Sequence, residues 1–391
     1  MSTIKSISYR KVLNSHVQFT NEFIIKFDDG SVGTGGSPQG ETISIYEDKK
    51  VAITPESIIQ KIMRAGIIGQ ALTQETFDAY LQDHITEFGR NNSYALSEAY
   101  FNTTLKTNSL SELFSRPMTK LKAPCISLNI LNGGWHAYTN PVLSDFSEFM
   151  LVARNNNVAE TIDAHTEIQR VVRERLSRQT KTVVAGNPVN CFATRDNREV
   201  LDFLLNICDG LGFIDKFDIM IDASAGDLWK NNVYNLEITD GSKYTSEEFI
   251  EYWMSIIRQY NLRFLEDPFS EKDYDAWQKI MFSQQSCCVV GDNFYSTDPG
   301  KIEEGASKKY ANGVIVKPNQ AGTVTAVRHA VEVAQRTGHF VITSHRSIST
   351  ESVFLSTLSC MYGVDGIKIG PLISDYSSIV RLNEIIRLTE E

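Results

Sequence analysis

Val314-Ile315-Val316-Lys317 is a short run of β-branched residues that stops on a cation. Apolar runs of this length read as buried strands, and the same grammar recurs on both sides of it. Ile219-Met220-Ile221 stops at Asp222, Leu262 to Leu265 stops at Glu266-Asp267-Pro268, and Val289-Val290-Gly291 stops at Asp292. Further on, Val341-Ile342-Thr343-Ser344 stops at His345-Arg346-Ser347, and Ile367 is followed by Lys368. Amphipathic helical segments alternate with the apolar runs. One of them, marked by Val158, Ile162, Ile168, Val172 and Leu176, carries His165 on its apolar face, where a histidine is expected to be a satisfied core or interface residue. This alternation predicts a βα array with a largely parallel sheet. In a (β/α)8-type barrel the carboxyl ends of the strands converge on one mouth. Six successive runs that end on ionisable groups, acids first and bases after, therefore predict one pocket built from residues far apart in sequence.

The grammar changes near residue 123. Before it, Phe19 to Phe27 reads as a strand closing at the Asp29-Gly30 turn signal. Thr54-Pro55-Glu56 offers an N-cap hydroxyl, a proline at the first helical position and an acid in the first turn, opening a helix through Ile58, Ile59 and Ile62. Gly35 to Thr42 is too rich in Gly and Pro for a regular element and is expected to be a mobile loop. The prediction is an α/β protein with a small N-terminal α+β capping domain over residues 1–122 and a C-terminal (β/α)8-type TIM barrel over residues 123–391.

Composition removes several classes of partner. Among 391 residues, 38 Lys and Arg stand against 48 Asp and Glu, a net charge of −10. Nucleic acid and anionic membrane surfaces both select for basic proteins, so neither is expected as a partner. The N-terminus has no apolar signal region, and no stretch reaches the roughly 18 apolar residues of a membrane span, so a cytoplasmic location is expected. Cys125, Cys191, Cys208, Cys287, Cys288 and Cys360 show no CxxC pair or zinc spacing and are expected to be reduced thiols used as small apolar residues. The sequons at Asn91 and Asn102 carry no meaning in that compartment.

The sorting of strand ends points to particular chemistry. Asp222, Glu266 and Asp292, without Cys or paired His ligands, make a hard oxygen site suited to Mg2+ or Mn2+. Two lysines, Lys317 and Lys368, would face them. Beside a metal and a second cation, one lysine is pushed towards its neutral form and can serve as a general base. The other, with Arg346 and the Ser347 hydroxyl, can bind carboxylate and phosphate oxygens. Such a set suits removal of a proton from the carbon next to a carboxylate, where metal charge offsets the cost of the enolate.

Asn129-Ile130-Leu131-Asn132-Gly133-Gly134-Trp135-His136-Ala137 and Glu148-Phe149-Met150 precede these runs, and Leu265-Glu266-Asp267-Pro268-Phe269, Val290-Gly291-Asp292, Val316-Lys317-Pro318-Asn319-Gln320, Ser344-His345-Arg346-Ser347 and Gly366-Ile367-Lys368 follow in order. Together they resemble the enolase family, the phosphopyruvate hydratases, across essentially the whole chain. The resemblance implies one or two Mg2+ ions, with Asp222, Glu266 and Asp292 holding the first. It implies Lys317 as the base removing the C2 proton of 2-phosphoglycerate, Lys368 on the substrate carboxylate, and Arg346 and Ser347 on the phosphate. His136 and His345 would line the pocket, and Glu148 would stand on the side from which hydroxide departs. A small anionic phosphorylated substrate and a homodimer or higher homo-oligomer are further implications.

Two departures from the family pattern matter. Where enolases carry Gly-Asp-Glu-Gly-Gly-Phe-Ala, with a glutamate as general acid, this chain has Gly186-Asn187-Pro188-Val189-Asn190-Cys191-Phe192-Ala193. A positioned proton donor contributes about 10²- to 10⁴-fold, so its loss bears on hydroxide departure. The family's Ser-Gly-Ala-Ser-Thr-Gly loop, whose serine helps ligate a second Mg2+, is replaced around Ser37 to Thr42, leaving Ser37, Thr42 and Ser44 as candidates. The stretch between His136 and Glu148 is also longer, with Trp135, Tyr138 and Pro141 adding bulk. Three readings follow: a divergent phosphopyruvate hydratase, a homologue with a changed substrate or leaving group such as those of phosphonate metabolism, and a non-catalytic scaffold.

Overall fold

The computed structural model describes residues 2–390 except 41–43, 47–51, 118–120, 135–139, 180, 185–186, 191 and 374, and only the backbone of 181–184, 187–190 and 193. The chain opens with an antiparallel meander of β1 (Ile4–Leu13), β2 (Phe19–Phe27) and β3 (Val32–Gly36). Phe23, Ile25 and Phe27 alternate along β2 onto the face that meets the helices. Helix Pro55–Arg64 begins as its sequence requires: the Thr54 side chain accepts the Ser57 N–H, Pro55 takes the first turn, and Ile58 and Ile62 are buried. Helices Gln74–Asp83 and Arg90–Thr104 complete the layer.

The expected loop from Gly35 needs correction, because Gly35 and Gly36 are the last residues of β3. A Cβ on Gly35 would lie 2.1 Å from the Ala95 carbonyl oxygen, and one on Gly33 would lie 2.2 Å from the Thr103 nitrogen. These glycines let a strand press onto the backbone of helix Arg90–Thr104, so they mark close packing and not a chain break. The chain leaves the sheet only at Ser37, and Gln39 then exchanges two backbone hydrogen bonds with Ile348 (2.8 and 3.1 Å).

A closed barrel of eight strands follows. In chain order these are β4 (Cys125–Asn132), β5 (Glu148–Ala153), β6 (Phe217–Asp222), β7 (Phe264–Glu266), β8 (Cys288–Gly291), β9 (Gly313–Val316), β10 (Phe340–Ser344) and β11 (Gly366–Lys368). Around the barrel the order runs β6-β7-β8-β9-β10-β11-β4-β5. All neighbours are parallel except for β5, which is antiparallel to both β4 and β6. No helix among the described residues separates β4 from β5, and a strand without a crossover helix returns antiparallel. The reversal places the first residue of β5, not its last, at the mouth.

Helix Arg90–Thr104 serves both halves. Ala95, Leu96, Ala99 and Tyr100 belong to the core of the small sheet, while Tyr94 and Phe101 join the barrel's core, with Phe101 edge-on to Phe354 at 5.2 Å between ring centroids. Each fully buried side chain of this size contributes roughly 1.5–3 kcal/mol, so the helix ties the two halves through its two faces. No helix among the described residues is long and apolar enough to cross a membrane. Five of the six cysteines are described, and all five are free.

Candidate active site at the barrel mouth

Pleat parity selects the side chains of the mouth. Met150, Val152, Met220, Phe264, Val290, Ile315 and Ile342 fill the barrel interior, whereas Ile219, Ile221, Leu265, Val289, Val314, Val316 and Val341 pack outward under the helices. Successive strand residues alternate between these two faces. Two residues past the inner layer, on the same parity, stand Asp222, Glu266, Asp292 and Lys317; two residues before Met150 on reversed β5 stands Glu148. Register pairs Asp222 with both Glu266 and Glu148, and Ser344 with Lys368.

Lys368 is the hub of the cluster. Its ammonium lies 2.9 Å from Glu148 Oε2, 3.0 and 2.9 Å from the two Glu266 oxygens, and 3.4 Å from Asp222 Oδ2. Asn129 donates to the other Glu148 oxygen at 2.7 Å. Across the mouth, Lys317 donates to Asp292 Oδ2. Glu266 is fully buried, and burial with the neighbouring Asp222 holds its carboxyl well above the usual range against the pull of Lys368. Burial also acts to raise Asp222, but Lys368 and Lys317 outweigh it and leave this carboxyl low, helped by the Ser224 hydroxyl. Burial opposes charge on Lys368, yet Glu148, Glu266 and Asp222 hold its ammonium well above the ordinary lysine value. Within this group burial and the neighbouring charges thus push the two carboxyls apart, Glu266 up and Asp222 down, around a lysine held cationic.

The basic side follows β10. Arg346 is buried, and Gly40 passes so close that a Cβ there would lie 1.6 Å from the guanidinium Nη2. Burial first, then the nearby Arg381, Lys368 and Lys317, keep His345 far below the ordinary histidine value and hence neutral, and its Nδ1 is buried without a hydrogen-bond partner. Ser347 follows at the start of the segment that pairs with Gln39. The loop candidates separate: the Ser37 hydroxyl turns into the N-terminal half, donating to Asn91 O and Asn92 Oδ1 at 3.2 Å. Ser44 instead donates to Asn293 O at 2.8 Å, beside Asp292. Thr42 and His136 lie outside the described residues, as do Trp135, Tyr138 and Cys191.

Sequence reasoning missed Asp267. Its parity is opposite to that of Glu266, and its buried carboxylate accepts the backbone N–H groups of Asp292 (3.0 Å) and Asn293 (2.8 Å). Burial and Asp292 raise its pKa well above the usual range, and its backbone sits at φ +39°, a left-handed conformation uncommon outside glycine. The residue fixes where β8 delivers Asp292; its position beside Glu266 is the signal that could have found it. Asn129, which orients Glu148, sat within a quoted motif but was given no role.

The acids offer only oxygen donors, the chemistry of a hard divalent cation. Asp292 Oδ1 is buried with no hydrogen-bond partner, an acceptor suited to such an ion. Among the described residues no three His, Cys, Asp or Glu side chains stand grouped for a metal. The ammonium groups of Lys368 and Lys317 lie against the carboxylates instead. The donor chemistry fits the ion, and the lysines are its competitors for these oxygens.

Comparison with known proteins agrees with the barrel fold. Residues 120–391 match the family model for the enolase C-terminal TIM barrel domain. The chain is 29% identical to a protein named enolase from Acidothermus cellulolyticus, covering 100% of this chain and 95% of that protein. It is 27% identical to an enolase from Natranaerobius thermophilus (100% and 96% covered) and 28% identical to one from Legionella pneumophila (98% and 97%).

Proposed function

Because the chain belongs to the enolase family, we propose that it is a magnesium-dependent carbon-oxygen lyase that removes the α-proton of a small phosphorylated hydroxy carboxylate, 2-phosphoglycerate or a close analogue. The observation that carries this reading is the shared inward face of Glu148, Asp222, Glu266, Asp292, Lys317 and Lys368, with neutral His345 and Arg346 at the neighbouring strand end. Asp222, Glu266 and Asp292 would hold the first Mg2+, which would supply positive charge at the oxygens of the enolate. Lys317 takes the C2 proton onto Nζ. Lys368 pairs with the substrate carboxylate. Arg346 and Ser347 bind the phosphate, Arg346 by charge-assisted hydrogen bonds. His345 and His136 line the pocket, and Glu148 stands towards the departing hydroxide. A homodimer or higher homo-oligomer belongs to the same proposal, checked by sedimentation.

A second reading is favoured by the absence of any carboxylic acid from Gly186 to Ala193. On that reading the enolate forms by the same residues, but the substrate or leaving group differs and needs no strong acid there. One experiment separates the two. Purified protein with Mg2+ and 2-phosphoglycerate in deuterated water is followed for C2 exchange by NMR and for phosphoenolpyruvate by ultraviolet absorbance. Both signals support the hydratase; exchange without dehydration supports the changed leaving group, and Val189→Glu or Asn190→Glu should then raise dehydration. No exchange with any phosphorylated hydroxy acid would overturn the catalytic proposal and leave a scaffold.

A further inference from the structure

The loop that follows β8 grips Lys317 at two points. At its start, Asp292 Oδ2 accepts from the Lys317 ammonium. Further along the loop, the Thr297 hydroxyl accepts the Lys317 backbone N–H at 2.9 Å. Lys317 is the first residue past β9, so the hydroxyl takes the place that a neighbouring strand's carbonyl would have filled. Thr297 passes its own proton to Gln320 Oε1 at 2.7 Å. Gln320 closes the ring, because its backbone N–H donates to the Lys317 carbonyl at 3.1 Å. The turn Pro318–Ala321 that carries Gln320 is held in turn from the N-terminal half: Arg90 Nη1 donates to the Gln320 carbonyl at 2.7 Å and Gln82 Nε2 to the Ala321 carbonyl at 2.9 Å.

Thr297 holds this place against the preference of its own backbone. It sits at φ +56°, directly after Ser296 at φ +47°. A branched Cβ crowds the chain in the left-handed region, and such a conformation persists only where the surroundings over-determine it. Among the described residues Val17 is the other β-branched residue with positive φ, and it is exposed, whereas Thr297 is buried. Glycine would suit the backbone here better; what glycine lacks is the hydroxyl. We propose that Thr297 is a positioning residue for proton abstraction, its hydroxyl, locked on Gln320, fixing the backbone of Lys317 while Asp292 orients the ammonium. The inference rests on Lys317 being the base. With backbone and ammonium tied to the same loop, Lys317 keeps its reach to the substrate carbon fixed, and a displacement of about 1 Å at such a group can lower a rate by about 10²-fold.

Thr297→Gly and Thr297→Ser, each in the full chain, test this by C2 exchange of 2-phosphoglycerate with Mg2+ in deuterated water. Thr297→Gly relaxes the backbone and removes the hydroxyl, so a residue serving the fold alone would tolerate it. For a positioning residue the rate at saturating substrate should fall about 10- to 100-fold with KM little changed, the mark of a misplaced group that acts in the transition state. Thr297→Ser keeps the hydroxyl and should recover most of that rate. Exchange of the Lys317 amide proton, followed by NMR, adds a readout without turnover: it should quicken in Thr297→Gly and slow again in Thr297→Ser. Unchanged C2 exchange in Thr297→Gly, or a loss that Thr297→Ser does not recover, overturns the proposal. If the unaltered protein exchanges no C2 hydrogen, or Lys317→Ala still exchanges it, the reading of Lys317 as base is what fails. The amide then decides alone, and a Lys317 amide equally protected in Thr297→Gly overturns the Thr297 anchor as well.

Discussion

Buried carboxylates occupy two regions of this molecule, and their company differs. At the mouth, Asp222, Glu266 and Asp292 lie against Lys368 and Lys317. At the junction of the N-terminal helices with the barrel, Asp78 and Glu98 are as deeply buried but, among the described residues, meet hydroxyl and amide donors and no cation. Asp78 accepts from the Thr325 backbone N–H (2.8 Å) and hydroxyl (2.7 Å), and from Ser97 and Gln74. Among the described residues Glu98 accepts only from Ser352, and its Oε2 is unpartnered. Burial raises both acids, Glu98 to about 8. Acids crowded together and offset by cations can bind and move charge; acids satisfied by hydroxyls act as joints.

The sharpest way to break the comparison is to remove a mouth lysine. Lys317→Ala should lower C2 exchange of 2-phosphoglycerate by about 10³-fold or more, the scale of a lost general base. The rate is read by deuterium incorporation. Exchange that persists in the variant would remove Lys317 from the role of base. At the other region, Asp78→Ala should leave activity in place but cost on the order of 3 kcal/mol. Three donors, the Thr325 N–H and hydroxyl and the Ser97 hydroxyl, lose their acceptor there while Gln74 keeps Ser97, and each buried orphan costs roughly 1–3 kcal/mol before relaxation. Urea denaturation checks this, and an unchanged midpoint would show that the Asp78 network is not a joint.

The contrast was only half legible in the sequence. Strand-end residues such as Asp222 and Lys317 could be read because a barrel turns a linear alternation into a ring with one mouth. Glu148 could not be read that way, since it begins an antiparallel strand; only the resemblance pointed to it. The sheet glycines were misread because Gly35 looks the same in sequence whether it ends a strand or packs against Ala95. Asp78 was invisible for a related reason: its partner Thr325 lies 247 residues away, and no local periodicity encodes that meeting. The absence of a carboxylic acid from Gly186 to Ala193, by contrast, is a matter of composition and is plain in the sequence.

Magnesium sharpens the contrast next. A ligand that binds only the folded state stabilises it by about 2.7 kcal/mol at a hundredfold excess over its dissociation constant. Thermal melts with and without Mg2+ should show that shift in the unaltered protein and in Glu98→Gln, and lose it in Asp222→Asn. A shift that survives Asp222→Asn would place the ion elsewhere.

The smallest effect belongs to Glu98 and appears in pH dependence. Its folded pKa of about 8 lies above the ordinary value of 4.5, so the folded chain keeps a proton that the unfolded chain releases between those values. Folding then binds more protons than unfolding, and this group's contribution to stability falls as pH rises from about 4.5 to about 8, flattening above. Glu98→Gln removes the ionisation while keeping the shape and an acceptor for Ser352. The variant should gain on the order of 2 kcal/mol over the unaltered protein at pH 7, and almost nothing at pH 4.5. Denaturation midpoints across that range measure the difference. If the two proteins run parallel in pH, Glu98 is ionised in the folded state and must have a cationic partner after all, which would erase the distinction between the two regions.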